Sequence, residues 1–265
     1  MTTAPRLDPV RVESVDDPRL CDYRELKEQR LQAESGKFVA ESIGVIALLL
    51  KSPLAVDSIL TNETKYESVA QALADSGRTD VVLYVAAQSI MDGIAGFNVH
   101  RGCLAVGRRP NTTRVPSDAR LVIALEDLVD VDNVGAIVRN ARAFGADALL
   151  LSPRCADPYY RKAIRVAMGN TFSLPIVRAL DWPDALLACK AQLGAQLLAA
   201  VVDNTAQPLS EYRRTGPVIL LLGSEGPGLT PTTVALCDHR LTIPMAGADS
   251  LNVATAAAVF LYQLC

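Results

Sequence analysis

The sequence predicts an α/β protein: a parallel-sheet domain over residues 119–265, preceded by a smaller α/β domain over residues 1–107. Three observations predict it. In the second half, short and wholly apolar runs alternate with longer stretches of helical period, the pattern of a parallel sheet covered by helices. Between the halves, Arg108-Arg109-Pro-Asn-Thr-Thr-Arg-Val-Pro-Ser-Asp118 is polar, carries two prolines and lacks periodicity, so residues 108–118 read as a linker. Half of the 265 residues are hydrophobic against 21% charged, enough to build two cores of these sizes.

The first half opens on a polar segment, followed by a charged stretch of helical character from Asp22 to Leu31. Gly36 to Glu41 reads as a short strand and Ser42 to Lys51 as an apolar helix. Val81 to Val85 and Gly102 to Val106 read as two further buried strands. In the second half, strands are expected at Leu121–Glu126, Ala148–Leu151, Leu174–Val177, Gln196–Val202, Val218–Leu222 and Leu241–Ile243. Helices are expected near Val134–Gly145, Tyr159–Met168, Trp182–Leu193 and Val253–Leu264. Parallel sheets bind ligands in the loops at the carboxyl ends of their strands, so the loops should carry the chemistry.

Charge and cysteine usage exclude several classes. Lysine and arginine number 26 against 29 acids, a net charge of −3, which excludes a protein that holds nucleic acid by bulk charge. The distribution is uneven, however: residues 101–178 hold eleven arginines and Lys162 against seven acids. Mean hydropathy is +0.21, yet the longest apolar runs, such as Ile43–Leu50 and Val218–Leu222, fall short of a membrane span. The first residues carry acids and no apolar core, unlike a signal peptide. Six cysteines, each at least 28 residues from the next, offer neither a CxxC pair for zinc nor a disulfide framework. A cytoplasmic, reduced protein without a metal is expected.

Three loops place polar residues where a sheet does not need them. In Glu126-Asp-Leu-Val-Asp-Val-Asp-Asn-Val-Gly-Ala-Ile-Val-Arg139, Asn133 stands where a helix N-cap belongs. Arg139 lies nearly two turns further on, sharing a face with Arg142. In Leu222-Gly-Ser-Glu-Gly-Pro-Gly-Leu-Thr230 the glycines let backbone turn sharply or a ligand come close. Neither GK[ST] nor GxGxxG is present, so a nucleotide P-loop and a nicotinamide-dependent oxidoreductase are poor fits. In Ile243-Pro-Met-Ala-Gly-Ala-Asp-Ser-Leu-Asn252, Ser250 or Asn252 can cap an alanine-rich final helix. Each loop alone also fits an ordinary capped helix or a solvated turn.

Together, NxGxxxR, a GSEGxG loop after a strand, and IPMxG…SLNVA opening the last helix resemble the TrmH/SpoU family within the SPOUT superfamily of RNA methyltransferases. The resemblance covers residues 119–265 in the family's order. Phe38-Val-Ala-Glu41 and Gly96-Phe-Asn-Val-His-Arg-Gly102 resemble the substrate-binding domain that many members carry, where Glu-Gly often stands in place of Glu41-Ser42.

The resemblance implies a SPOUT-type knotted C-terminal domain, a homodimer formed through it, a small N-terminal RNA-binding domain, and 2′-O-methylation of RNA ribose with S-adenosylmethionine. It implies cofactor contacts at Gly223, Ile243, Pro244, Met245 and Leu251. It makes Arg139 the catalytic arginine, with Asn133, Glu225, Ser250 and Asn252 completing the site. Whether Arg139 acts as a base or holds charge stays open, since a guanidinium is always protonated. RNA contacts are expected from Arg101, Arg108, Arg109, Arg142, Arg161, Lys162 and Arg165. The extra N-terminal domain favours rRNA over tRNA. The alternative from another class is a non-catalytic RNA-binding or ribosome-assembly protein on the same fold.

Overall fold

The computed structural model describes residues 9–24, 36–95 and 101–265. In chain order its strands are β1 (Val10–Val12), β2 (Lys37–Glu41), β3 (Val56–Thr61), β4 (Val82–Ala86), β5 (Cys103–Arg108), β6 (Leu121–Leu125), β7 (Ala148–Leu151), β8 (Ile176–Arg178), β9 (Gln196–Ala200), β10 (Gln207–Pro208), β11 (Val218–Leu222) and β12 (His239–Thr242). The helices are α1 (Ile43–Lys51), α2 (Tyr66–Ser76), α3 (Gln88–Ala95), α4 (Val131–Ala143), α5 (Arg161–Val166), α6 (Asp184–Leu193), α7 (Pro231–Ala235) and α8 (Val253–Leu264). The chain forms two compact units. One runs to Pro110 and takes in Tyr159–Ser173; the other holds Asn111–Pro158 and Leu174–Cys265.

The first unit is built on a mixed sheet in the order β1-β4-β3-β5-β2, with β5 antiparallel to both of its neighbours. Its core gathers Leu20, Tyr23, Val39, Leu60, Met91, Leu104 and Val106. The Tyr23 hydroxyl meets Ser58 Oγ at 2.8 Å, and full burial pushes the phenol well above its usual range. The Phe38 ring centroid lies 5.4 Å from that of Tyr159 and 5.4 Å from that of Phe172, stacked on the latter. A Cβ on Gly107 would strike the Phe38 ring, so the strand opposite must be bare there. Glu41 and Arg161 form an inward-facing ion pair at 2.7 Å, with side chains only 7% and 18% exposed.

Several expectations shift in this unit. The strand read at Gly102–Val106 starts at Cys103 and runs on through Arg108. Pro18–Tyr23 is a 3-10 turn capped by Asp17, so Asp22 does not begin an α-helix; residues 25–31 of that expected helix, and 96–100 of the Gly96–Gly102 stretch, lie outside the described residues. The helix read at Tyr159–Met168 shortens to Arg161–Val166 and packs in this unit, although it comes from the second half of the chain. Strands β1 and β3 and helices α2 and α3 add to the sequence reading. In β3, Asp57 and Ser58 interrupt the apolar run, and their partners, Arg108 and Tyr23, lie 51 and 35 residues away.

The second unit is a seven-stranded, wholly parallel sheet in the order β10-β12-β9-β11-β6-β7-β8. Its two central strands, β6 and β11, are buried at every residue, which is why both read as unbroken apolar runs. The chain steps outward from β6 through β7 to β8, then returns to lay β9 and later β11 on the other side of β6. That reversal is the switch point at which parallel sheets open a crevice. Helix α8 packs on α4, where the Asn140 amide donates to the Ala254 carbonyl at 2.9 Å. Among the described residues no helix is long and apolar enough to cross a membrane.

Ser42 marks a backbone constraint. It precedes α1 with φ 88° and ψ 145°, and its hydroxyl caps nothing. That region favours glycine and costs other residues of order 1–3 kcal/mol. Glycine loses more chain entropy on folding, by about 0.5–1 kcal/mol. Ser42→Gly should therefore raise the unfolding free energy by about 1 kcal/mol, measured by urea denaturation; a lowered midpoint would show that the serine is held by something other than tolerated strain.

Candidate active site

Four loops at the carboxyl ends of β6, β9, β11 and β12 define the site. Three of them, after β9, β11 and β12, wall a cavity of about 650 Å³, within the range of small-molecule pockets. Its wall includes Val201, Gly223, Glu225, Ile243, Met245 and Leu251, apolar apart from backbone groups and a few charges. Adenine and ribose need such apolar walls with placed backbone donors and acceptors, so these residues fit a nucleoside cofactor. Ser250 also lines the cavity, whereas Pro244 is exposed and is not part of the wall.

The loop after β11 folds back on itself. The Gly228 N–H donates to the Ser224 carbonyl at 3.0 Å, and a Cβ on Gly223 would overlap the backbone of Gly228 and Leu229. Glycine at 223 is thus required by the loop's own closure.

The polar residues form a chain across three loops. Helix α4 begins at Val131, and its N-cap is Asp130, whose carboxylate accepts from the Asn133 N–H at 2.9 Å. The expectation that Asn133 is the cap is corrected: it sits inside the first turn, buried, and its side chain is free to act elsewhere. Its Nδ2 donates to the Glu225 carboxylate, and its Oδ1 accepts from Asn252 Nδ2 at 2.9 Å. Asn252 in turn caps α8 through Oδ1, accepting from the N–H groups of Ala254 and Thr255. Ser250 takes no part in that cap. The amide serves both neighbours, giving through its nitrogen and accepting through its oxygen.

Upstream, Asp127 turns the chain out of β6 with φ 54°. Its N–H donates to Ser152 Oγ at 2.8 Å, and its carboxylate pairs with Arg154. The guanidinium beside it holds the Asp127 carboxyl below its ordinary value.

Arg139 stands apart from this chain. It is exposed on α4, makes no hydrogen bond or ion pair with any described residue, and does not line the cavity. Arg142 is exposed on the same helix.

The cations of the first unit differ in how far they are engaged. Arg108 pairs with Asp57 at 2.7 Å. Arg109 donates to the Lys37 carbonyl at 2.9 Å and lies over the Tyr159 ring at 5.6 Å. Arg161 is taken by Glu41, while Arg101, Lys162 and Arg165 are exposed. Among the described residues no cluster of His, Cys, Asp and Glu could hold a metal ion.

Two features were missed from sequence. The Asp203–Arg240 ion pair lines the cavity, and nothing in the spacing of the two residues announces it. Glu126 is 3% exposed and accepts four hydrogen bonds. An acid directly following five apolar strand residues was the signal available there.

The SpoU rRNA methylase family model matches residues 120–262. An uncharacterized tRNA/rRNA methyltransferase of Mycobacterium bovis is 38% identical to this chain, covering 94% of it and 88% of the relative. The 23S rRNA (guanosine(2553)-2'-O)-methyltransferase RlmP of Bacillus subtilis is 28% identical, covering 96% and 98%. The solved structure of the SpoU methyltransferase AviRb from Streptomyces viridochromogenes, in complex with AdoMet, matches with a TM-score of 0.79 at 26% identity, covering 93% of this chain and 96% of that one. With the family model spanning residues 120–262, more than half of its length, and the cavity lying at the carboxyl ends of parallel strands, the chain belongs to the SpoU rRNA methylase family.

Proposed function

We propose that this protein is an S-adenosylmethionine-dependent methyltransferase acting on ribose 2′-hydroxyls of ribosomal RNA, in the cytoplasm and as a homodimer. The observation that carries the reading is the cavity at the carboxyl ends of β9, β11 and β12, walled by the closed glycine loop and tied to α4 through Asn133. The activity of RlmP on 23S rRNA and the AdoMet bound by AviRb supply the RNA class and the cofactor.

When bound, S-adenosylmethionine supplies a methyl group on a sulfonium. Gly223, Ile243, Met245 and Leu251 would hold it, chiefly through backbone groups and apolar contact. Asn133, Glu225 and Asn252 keep the three loops in one arrangement. Arg139, a permanent cation free of partners among the described residues, is suited to grip a substrate phosphate and stabilise negative charge developing on the 2′-oxygen. The first unit presents Arg101, Lys162 and Arg165 to RNA. Helix α8 leaves Val259 39% and Tyr262 73% exposed, and Val129 in the loop after β6 is 71% exposed; a second chain is the partner proposed for this apolar surface.

Four outcomes test the reading. Wild-type protein should transfer labelled methyl groups to ribosomal RNA at a ribose 2′-oxygen; transfer to a base, or none, would sink the assignment. Arg139→Ala should retain cofactor affinity and lose turnover by a factor on the order of 10² or more, with no rescue by lysine, which lacks the planar fork. Asn133→Ala should lower stability by about 1–3 kcal/mol, the cost of stranding buried polar groups, and Asn133→Asp should do more harm by setting a second carboxylate against Glu225. Replacing Lys162 and Arg165 together should weaken RNA binding and flatten its salt dependence by about 0.7–0.9 log units per lost phosphate contact; an unchanged slope would remove α5 from the RNA surface.

A further inference from the structure

Glu126 directly follows β6, buried in the second unit, and no role assigned so far uses it. Its carboxylate accepts from Trp182 Nε1 at 2.9 Å, Thr233 Oγ1 at 2.6 Å, Thr230 Oγ1 at 3.0 Å and the Thr230 N–H at 3.0 Å. Its own N–H donates to the Leu222 carbonyl at 2.9 Å. Leu222 and Thr230 are the two residues that bracket the Gly223–Leu229 loop.

One residue therefore grips both ends of the loop that walls the cavity, by backbone at the near end and by carboxylate at the far end. A buried acid bonded only by N–H and O–H donors is an arrangement that an acceptor-only carboxylate satisfies and a neutral amide does not. Thr230 also caps α7, accepting from the Thr233 N–H, so the grip extends into Pro231 and Val234 of the cavity wall.

We propose that Glu126 is the positioning residue of the cofactor loop: it sets the distance between Leu222 and Thr230, and so the placement of the Gly223–Leu229 backbone that meets the cofactor. This rests on the S-adenosylmethionine reading above. Glu126→Gln keeps the volume and turns a donor toward donors already present. Thr233→Val removes one donor from a side chain that is 1% exposed. Arg214→Ala serves as a control in the same unit. Its guanidinium binds the carbonyls of Gly216, Arg120 and Leu264, just before β11 and β6 and at the last turn of α8, away from the cavity loops.

The test measures S-adenosylmethionine affinity by calorimetry, urea unfolding without cofactor, and KM against kcat. Glu126→Gln should weaken affinity about tenfold or more, the scale of one hydrogen bond to a charged group, with KM raised and kcat largely restored at saturating cofactor. Thr233→Val should weaken it severalfold. Arg214→Ala should lower the unfolding midpoint and leave affinity within about twofold, inside the scatter of independent sites. Wild-type affinity in a folded Glu126→Gln, or in Thr233→Val should Glu126→Gln not fold, would overturn the proposal. So would an affinity loss in Arg214→Ala matching that of the loop variants, since binding would then follow global stability. Wild-type protein that binds no S-adenosylmethionine would overturn the cofactor reading itself.

Discussion

The register of β11 against β6 is the constraint on which the second unit depends. Leu222 lies opposite Leu125, and the five pairs from Val218↔Leu121 onward keep the strand ends level. A parallel ladder displaced by one residue would turn every side chain to the other face, and all ten here are buried. Because the ends are level, the loop carrying Asn133 and the loop carrying Glu225 leave the sheet side by side. Only then can one amide join them. The polar chain of the site is thus a consequence of apolar pairing, with Asn252 added from the start of α8.

Much of this was legible from residue order alone. Ala148–Leu151, Val218–Leu222 and Val253–Leu264 occupy the bounds that their apolar runs predict, because each is protected on the faces its period specifies. The three loops were legible as sites because their polar residues serve no obvious need of strand or helix. The N-cap was not. Asp130 and Asn133 are both capable caps, and the choice turns on Asn133 having other partners, 92 and 119 residues away. Glu126 was hidden for the same reason, since its donors come from Trp182, Thr230 and Thr233, far along the chain. Residue type tells what a side chain can bond; only the fold supplies the partner.

The first unit shows a different limit. Tyr159, Arg161 and Phe172 come from the half of the chain that otherwise builds the parallel sheet, yet their partners are Phe38 and Glu41. Alternation of strand and helix continues through this stretch, so nothing in the pattern marks the excursion. Aromatic stacking on Phe38, and the bare Gly107 beneath that ring, make it a specific association. The boundary between the units is therefore crossed three times by the chain, at Pro110, Pro158 and Ser173.

Strand order has a consequence for synthesis. Strand β11 lies between β9 and β6, so the centre of the seven-stranded sheet is filled by one of the last strands to be translated. Until residue 222 has left the ribosome, β6 presents an open edge of five apolar residues, the kind of edge that pairs readily with other chains. Its partner waits nearly a hundred residues downstream, and closing a loop of that length precedes any reward from the pairing. The nascent chain must keep that edge from foreign strands while the remainder is made. An early stop between β9 and β11 would leave a product that has most of the sheet's residues but lacks β11, the strand that joins β9 to β6.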